Sequence, residues 1–79
     1  MSTTEQIIKE ILKSHSGVPD DKILLTDTLE ILDIDSLDKI LVVLDIEEEF
    51  GVYIDDEEIT SNTTISDLIN KVDIELTTN

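Results

Sequence analysis

Apolar positions near the amino end of the chain recur at helical spacing. Ile7, Ile8, Ile11 and Leu12 follow i, i+3, i+4 intervals, and Lys9, Glu10 and Lys13 fill the positions between them, so one face is apolar and the other wet. The pattern predicts a helix over about 3–15. Ser2, with Glu5 three residues on, fits a capping box at its start, and Gly17 followed by Pro19 fits its stop. Residues 16–35 keep no period. A connection of that length in a small fold is usually functional, and Ile23, Leu24, Leu25, Leu29, Ile31 and Leu32 are apolar enough to pin it to a core, while Pro19, Asp20 and Asp21 can open a short helical turn.

From Ser36 to Phe50 nothing interrupts a helix: Asp35 stands at the N-cap, Asp38 lies in the first turn, and Gly51 supplies the stop. Asp55, Asp56, Glu57 and Glu58 read as the acidic opening of a short third helix over about 56–61 that holds Ile59. Thr64 and Asp67 can cap a last helix over about 65–75, whose face is Ile65, Leu68, Ile69, Val72 and Leu76, with Thr77, Thr78 and Asn79 as a frayed tail. The fold class is therefore all-α, a small bundle of three main helices and one short one, with a long loop between the first two.

At about 100° per residue, the 36–50 helix splits its apolar residues into two opposed groups. Val42, Val43, Ile46 and Phe50 make a regular core-facing set, whereas Leu37, Ile40, Leu41 and Leu44 lie about half a turn away. So small a chain has too few other elements to cover both sides. The second group is expected to stay exposed as a docking surface, rimmed by Asp38, Asp45, Glu47, Glu48 and Glu49. The alternative is that the long loop and the first helix cover both faces.

Charge narrows the function. Twenty acidic residues against five lysines give a formal net charge of −15, which argues against nucleic acid or an anionic membrane as partner and in favour of basic proteins. Between residues 30 and 58 stand twelve acids and one lysine, Lys39; the rest of the chain holds eight acids and four lysines. With no cysteine, no tryptophan and one histidine, the chain lacks a metal-ligand cluster and most catalytic nucleophiles. His15 falls at the end of the first helix with no acid evidently paired to it, so enzymatic activity is not expected. The amino end carries neither a basic region nor a long apolar run, so no signal peptide or membrane span is expected and a cytoplasmic location is the default.

The segment DIDSLDKI, with Asp35, Ser36, Leu37 and Asp38, resembles the attachment motif of acyl carrier proteins. EEEFGVYIDDEEI over 47–59 looks like that family's loop and acidic third helix, and TTISDLINKV over 63–72 like its last helix. The resemblance implies a single carrier domain over 1–79, with 4′-phosphopantetheine from coenzyme A attached to Ser36 between Asp35 and Leu37. It implies acyl cargo held as a thioester for enzymes of fatty-acid, lipid or polyketide-type synthesis. A phosphopantetheinyl transferase would load the arm, and acyl-loading and acyl-transferring enzymes with basic patches would dock on Leu37, Asp38, Ile40, Leu41, Leu44, Asp45, Glu47, Glu48, Asp56 and Glu57. The carrier is expected to be a monomer.

Four positions depart from the family pattern. Asp33 replaces the glycine usual two residues before the motif's aspartate, and aspartate tolerates a left-handed turn better than most residues. Leu41 stands where fatty-acid carriers commonly have glutamate, and Asp45 where a small apolar residue is usual. Thr28 occupies a position often held by phenylalanine, leaving Leu29 and Ile31 to fill the core. These departures suggest a specialised member. The rival readings are a peptidyl or aminoacyl carrier, an unmodified acidic interaction protein, and a calcium module. The last fails because an EF-hand loop from Asp33 would need a ligand at Leu37, glycine at Asp38 and glutamate at Leu44.

Overall fold

Three helices form along the periodic segments. The computed structural model describes residues 3–77, with α1 at Thr4–Ser16, α2 at Ser36–Phe50 and α3 at Ile65–Thr77, and 3-10 turns at Asp20–Lys22 and Asp56–Glu58. Thr3 caps α1, its side chain accepting the Gln6 N–H at 3.2 Å; Ser2, the expected cap, lies outside the described residues. At the other ends of α1 and α2, Gly17 and Gly51 turn left-handed at φ 76° and 66° and donate to the Lys13 and Glu47 carbonyls, the conformation glycine adopts without a Cβ penalty.

The short helix expected at 56–61 is a single 3-10 turn. Asp55 caps it by accepting the Glu57 N–H at 3.0 Å, but Ile59 is extended, and the Thr60 N–H goes to Thr63 Oγ1 at 2.9 Å. That local hydroxyl bond offers the backbone an alternative to another helical turn. By contrast α3 runs longer than expected: Thr77 is helical, its hydroxyl donating back to the Asp73 and Ile74 carbonyls, while Thr78 and Asn79 lie outside the described residues. The Thr64–Asp67 cap forms in both directions, at 3.1 and 3.4 Å.

The core gathers Ile8 and Leu12 from α1, Val42, Val43 and Ile46 from α2, and Ile65, Leu68 and Val72 from α3, closed by Ile23, Leu29, Leu32, Ile34, Ile54 and Ile59 from the connections. Phe50 packs against this core only in part. In the long loop Leu24, Leu25 and Ile31 are exposed, and so is Leu76 on α3. Ile31 therefore does not replace the missing aromatic at Thr28; Leu29, Leu32 and Ile34 are the buried loop residues nearby. Backbone bonds supplement these anchors. Leu25 and Asp27 carbonyls accept the Ser66 and Ile65 N–H groups at the start of α3, Leu29 and Glu30 donate to Thr63 and Ser61, and an antiparallel bridge pairs Thr28 with Thr64. The loop thus satisfies donors that the α3 amino end cannot satisfy itself. Among the described residues, no helix is long and apolar enough to cross a membrane.

Candidate functional site

Ser36 is the first residue of α2 and is exposed. Asp35 precedes it in extended conformation and caps the helix, Oδ1 accepting the Asp38 N–H at 2.8 Å while its carbonyl accepts from Lys39. The remaining amides of the first turn have no acceptor within the helix, and a helix amino end of this kind favours a negative group. The approach to this cap is set by Asp33, whose φ of 62° is left-handed, as expected if the residue must do what glycine does in the resembled motif. Buried Leu32 and Ile34 flank it and hold the turn.

Beside Ser36 opens a cavity of about 270 Å³ lined by Leu29, Ile34, Asp35, Ser36, Lys39 and Ser61. An exposed hydroxyl, first-turn amides, space alongside and one cationic side chain fit a phosphodiester on Ser36 and the start of a flexible arm. Among the described residues, no base is hydrogen-bonded to the Ser36 hydroxyl.

The apolar group opposite the core is exposed: Leu37 at 68%, Ile40 at 42%, Leu41 at 44% and Leu44 at 48%. The reading in which both faces of α2 are covered is thereby excluded. Ile40 and Leu44 join Glu47, Tyr53, Ile54 and Asp56 around a shallow groove of about 170 Å³ between α2 and the second 3-10 turn, whereas Leu37 and Leu41 lie outside it. A larger recess, about 350 Å³, lies beyond Tyr53 towards α3 and is lined by Asp55, Glu58, Lys71 and Ile74 among others; Ser36 is not part of it.

Two rim acids carry structural bonds. Glu47 Oε2 accepts the Ile54 N–H at 2.8 Å, tying the end of α2 to the following loop. Asp45 Oδ2 lies 2.7 Å from His15 Nε2, linking α2 to α1. The expectation that His15 has no acidic partner is therefore corrected, and Asp45 faces α1 at the edge of the outer surface. Glu48 and Glu57 are exposed, on the late α2 rim and the second 3-10 turn, and Asp38 is half-buried in the first turn of α2; none of the three side chains makes such a tie among the described residues.

Sequence reasoning overlooked Tyr53. It is 73% exposed at the groove's edge, and the negative charge of Asp55, then a little burial, then Glu47, Asp56 and Glu57 push its phenol above the usual value of 10.0. Its place beside an acidic run was the available signal. Lys39 was noted only as a charge; its position beside Ser36 is a structural finding. Among the described residues, no three imidazole or carboxylate side chains converge as a metal site.

Comparison with known proteins bears on the same segment. The sequence profile of the family described as "Phosphopantetheine attachment site" matches residues 6–72. A curated relative, the acyl carrier protein of Zymomonas mobilis subsp. mobilis, is 40% identical over 74 residues, spanning 92% of this chain and 95% of the relative.

Proposed function

Since the chain belongs to the acyl carrier proteins and bears a covalently attached 4′-phosphopantetheine, we propose that Ser36 is the residue that holds the arm and that the outer face of α2 addresses its partners. The observation that carries the first point is the exposed Ser36 hydroxyl at the amino end of α2, beside open space and preceded by a carboxylate already spent on capping the helix. Loading joins Ser36 Oγ to the coenzyme A phosphorus that bears pantetheine, breaks that phosphorus's bond to the bridging pyrophosphate oxygen, and releases adenosine 3′,5′-bisphosphate. The hydroxyl proton leaves to a base on the transferase, consistent with the absence of a bonded base on Ser36 among the described residues. The arm supplies a thiol for the thioester, and the chain supplies the anchor and the address. This is carriage, with bond-making left to other enzymes.

The address combines Leu37, Ile40, Leu41 and Leu44 with Asp38, Glu48, Asp56 and Glu57. An apolar patch inside an acidic rim suits partners whose docking surface pairs an aliphatic pocket with lysine and arginine, with attraction that speeds encounter and releases quickly. The cargo on this reading is acyl, in fatty-acid or related synthesis, following the likeness to the bacterial relative. Intact mass after incubation with coenzyme A and a phosphopantetheinyl transferase tests the anchor. The wild type gains one arm, Ser36→Ala gains none and keeps its helical circular dichroism; a mass gain in Ser36→Ala, or an arm mapped to another serine, overturns the assignment.

A further inference from the structure

Lys39 is the one lysine among the twelve acids of residues 30–58. Attraction alone would pair it with a carboxylate. Yet among the described residues no carboxylate lies within ion-pair distance of its ammonium; instead the half-buried Nζ donates to the Ile59 carbonyl at 2.9 Å. The segment after the second 3-10 turn thus holds this cation in place.

That placement sets it beside the proposed anchor. Lys39 follows Ser36 by three positions in α2, a spacing that brings side chains together on one helix face, about 5–6 Å between Cβ atoms. Both line the cavity that Ser61 also lines. An ammonium has three N–H donors, and the Ile59 carbonyl takes one. A phosphodiester on Ser36 would bring a further negative charge into a stretch already dominated by acids, with Asp35 and Asp38 next to it. The first-turn amides offset part of that repulsion, and Lys39 is the only full positive charge this stretch of chain brings to the same cavity.

The geometry points to Lys39 as the internal counter-ion of the loaded form: its ammonium bridges the arm's phosphodiester to the Ile59 carbonyl and lays the root of the arm along the cavity towards residues 59–61, away from the exposed face of α2. This rests on the reading that Ser36 carries the arm. Lys39 is a positioning residue here, acting on the direction of the arm. The docking face would then stay clear for partners while the arm is at rest.

The test compares unloaded and loaded wild-type protein by NMR, with intact mass confirming the arm in each sample. Absence of any mass gain would count against the Ser36 reading and is thus separable from failure of this one. In the loaded protein the Lys39 side-chain resonances and the Ile59–Ser61 amides should shift, and the geminal methyls of the arm should show proton contacts with Ile34 or Ser61. The phosphorus resonance should differ between wild type and loaded Lys39→Met, which keeps the stem and loses the charge. In Lys39→Met the arm contacts should disappear, and in Lys39→Arg they should return. Lys39 resonances unmoved by loading of the wild type would overturn the proposal on their own, whether or not the variants fold, as would arm contacts that survive in Lys39→Met.

Discussion

Val42, Val43 and Ile46 on one side of α2, and Leu37, Ile40, Leu41 and Leu44 on the other, are similar aliphatic residues in one helix. The first three are at most 4% exposed, and the other four are 42–68% exposed. Their chemistry does not separate them; what differs is what stands opposite. The core collected from α1, the long loop and α3 packs on one side of α2, and the other side meets only a shallow groove against the second 3-10 turn. An aliphatic side chain stabilises a fold where the chain can cover it. Elsewhere it is left for a partner to cover.

The strongest way to break this comparison is to cut into the inner face. Ile46 is fully buried, so Ile46→Ala removes packed methyl groups and leaves a cavity, a loss of about 2–5 kcal/mol. In a domain this small that is a large share of the total stability. Urea unfolding followed by circular dichroism measures it, and a loss under about 1 kcal/mol would mean that the site collapses freely and that the two faces are less different than their exposures indicate.

A change outside both faces sharpens the contrast. Asp33 sits at φ 62° in the turn that leads to the Asp35 cap, a conformation that costs an L-residue about 1–2 kcal/mol and glycine little. Glycine also adds freedom to the unfolded chain, which offsets part of that gain. Asp33→Gly should therefore stabilise the protein by about 0.5–1 kcal/mol, read as a higher urea midpoint with an unchanged slope, and should leave loading of Ser36 intact. A fall in the midpoint would show that the aspartate side chain contributes more to the turn than the strain costs.

Asp33 also illustrates how much the sequence discloses. Periodicity located the three helices, and the wheel separated the faces of α2, because both depend on neighbours along the chain. Capping by Asp35 and by Thr64 with Asp67 was legible for the same reason. The carrier family came from motif likeness, and the proposal of Ser36 as its anchor rests on the same motif. The missed features are pairings across the fold. His15 with Asp45, and Lys39 with the Ile59 carbonyl, join residues 30 and 20 positions apart, and no local pattern marks such partners. The loop's backbone bonds to the start of α3 are equally silent in sequence, because any residue but proline can donate them. The 56–61 segment starts as a helix where its acidic opening indicates but ends three residues early, because the deciding bond is made by the Thr63 hydroxyl, just past the segment.

The smallest expected effect on the fold falls on the outer face, and it tests the comparison most directly. Leu41 is 44% exposed and lies outside the groove that Ile40 and Leu44 help to line. Leu41→Glu restores the residue common in the resembled fatty-acid carriers, and on an exposed surface it should change stability by no more than about 0.5 kcal/mol. Were the face buried, the same substitution would place an unpaired charge in the core and unfold the domain. Its consequence should appear in recognition. A leucine covered by a partner contributes up to about 1.5–3 kcal/mol, and a screened rim glutamate about 0.2–1. Loading kinetics with a phosphopantetheinyl transferase, read beside a thermal melt, keep the two effects apart. The expected result is an unchanged melt with KM raised several-fold and kcat nearly constant, as when uniform binding is removed. A melt lowered by many degrees would contradict the exposed-face assignment. An unchanged melt with unchanged KM would mean that the transferase does not use Leu41, and that this part of the α2 surface is not the address it reads.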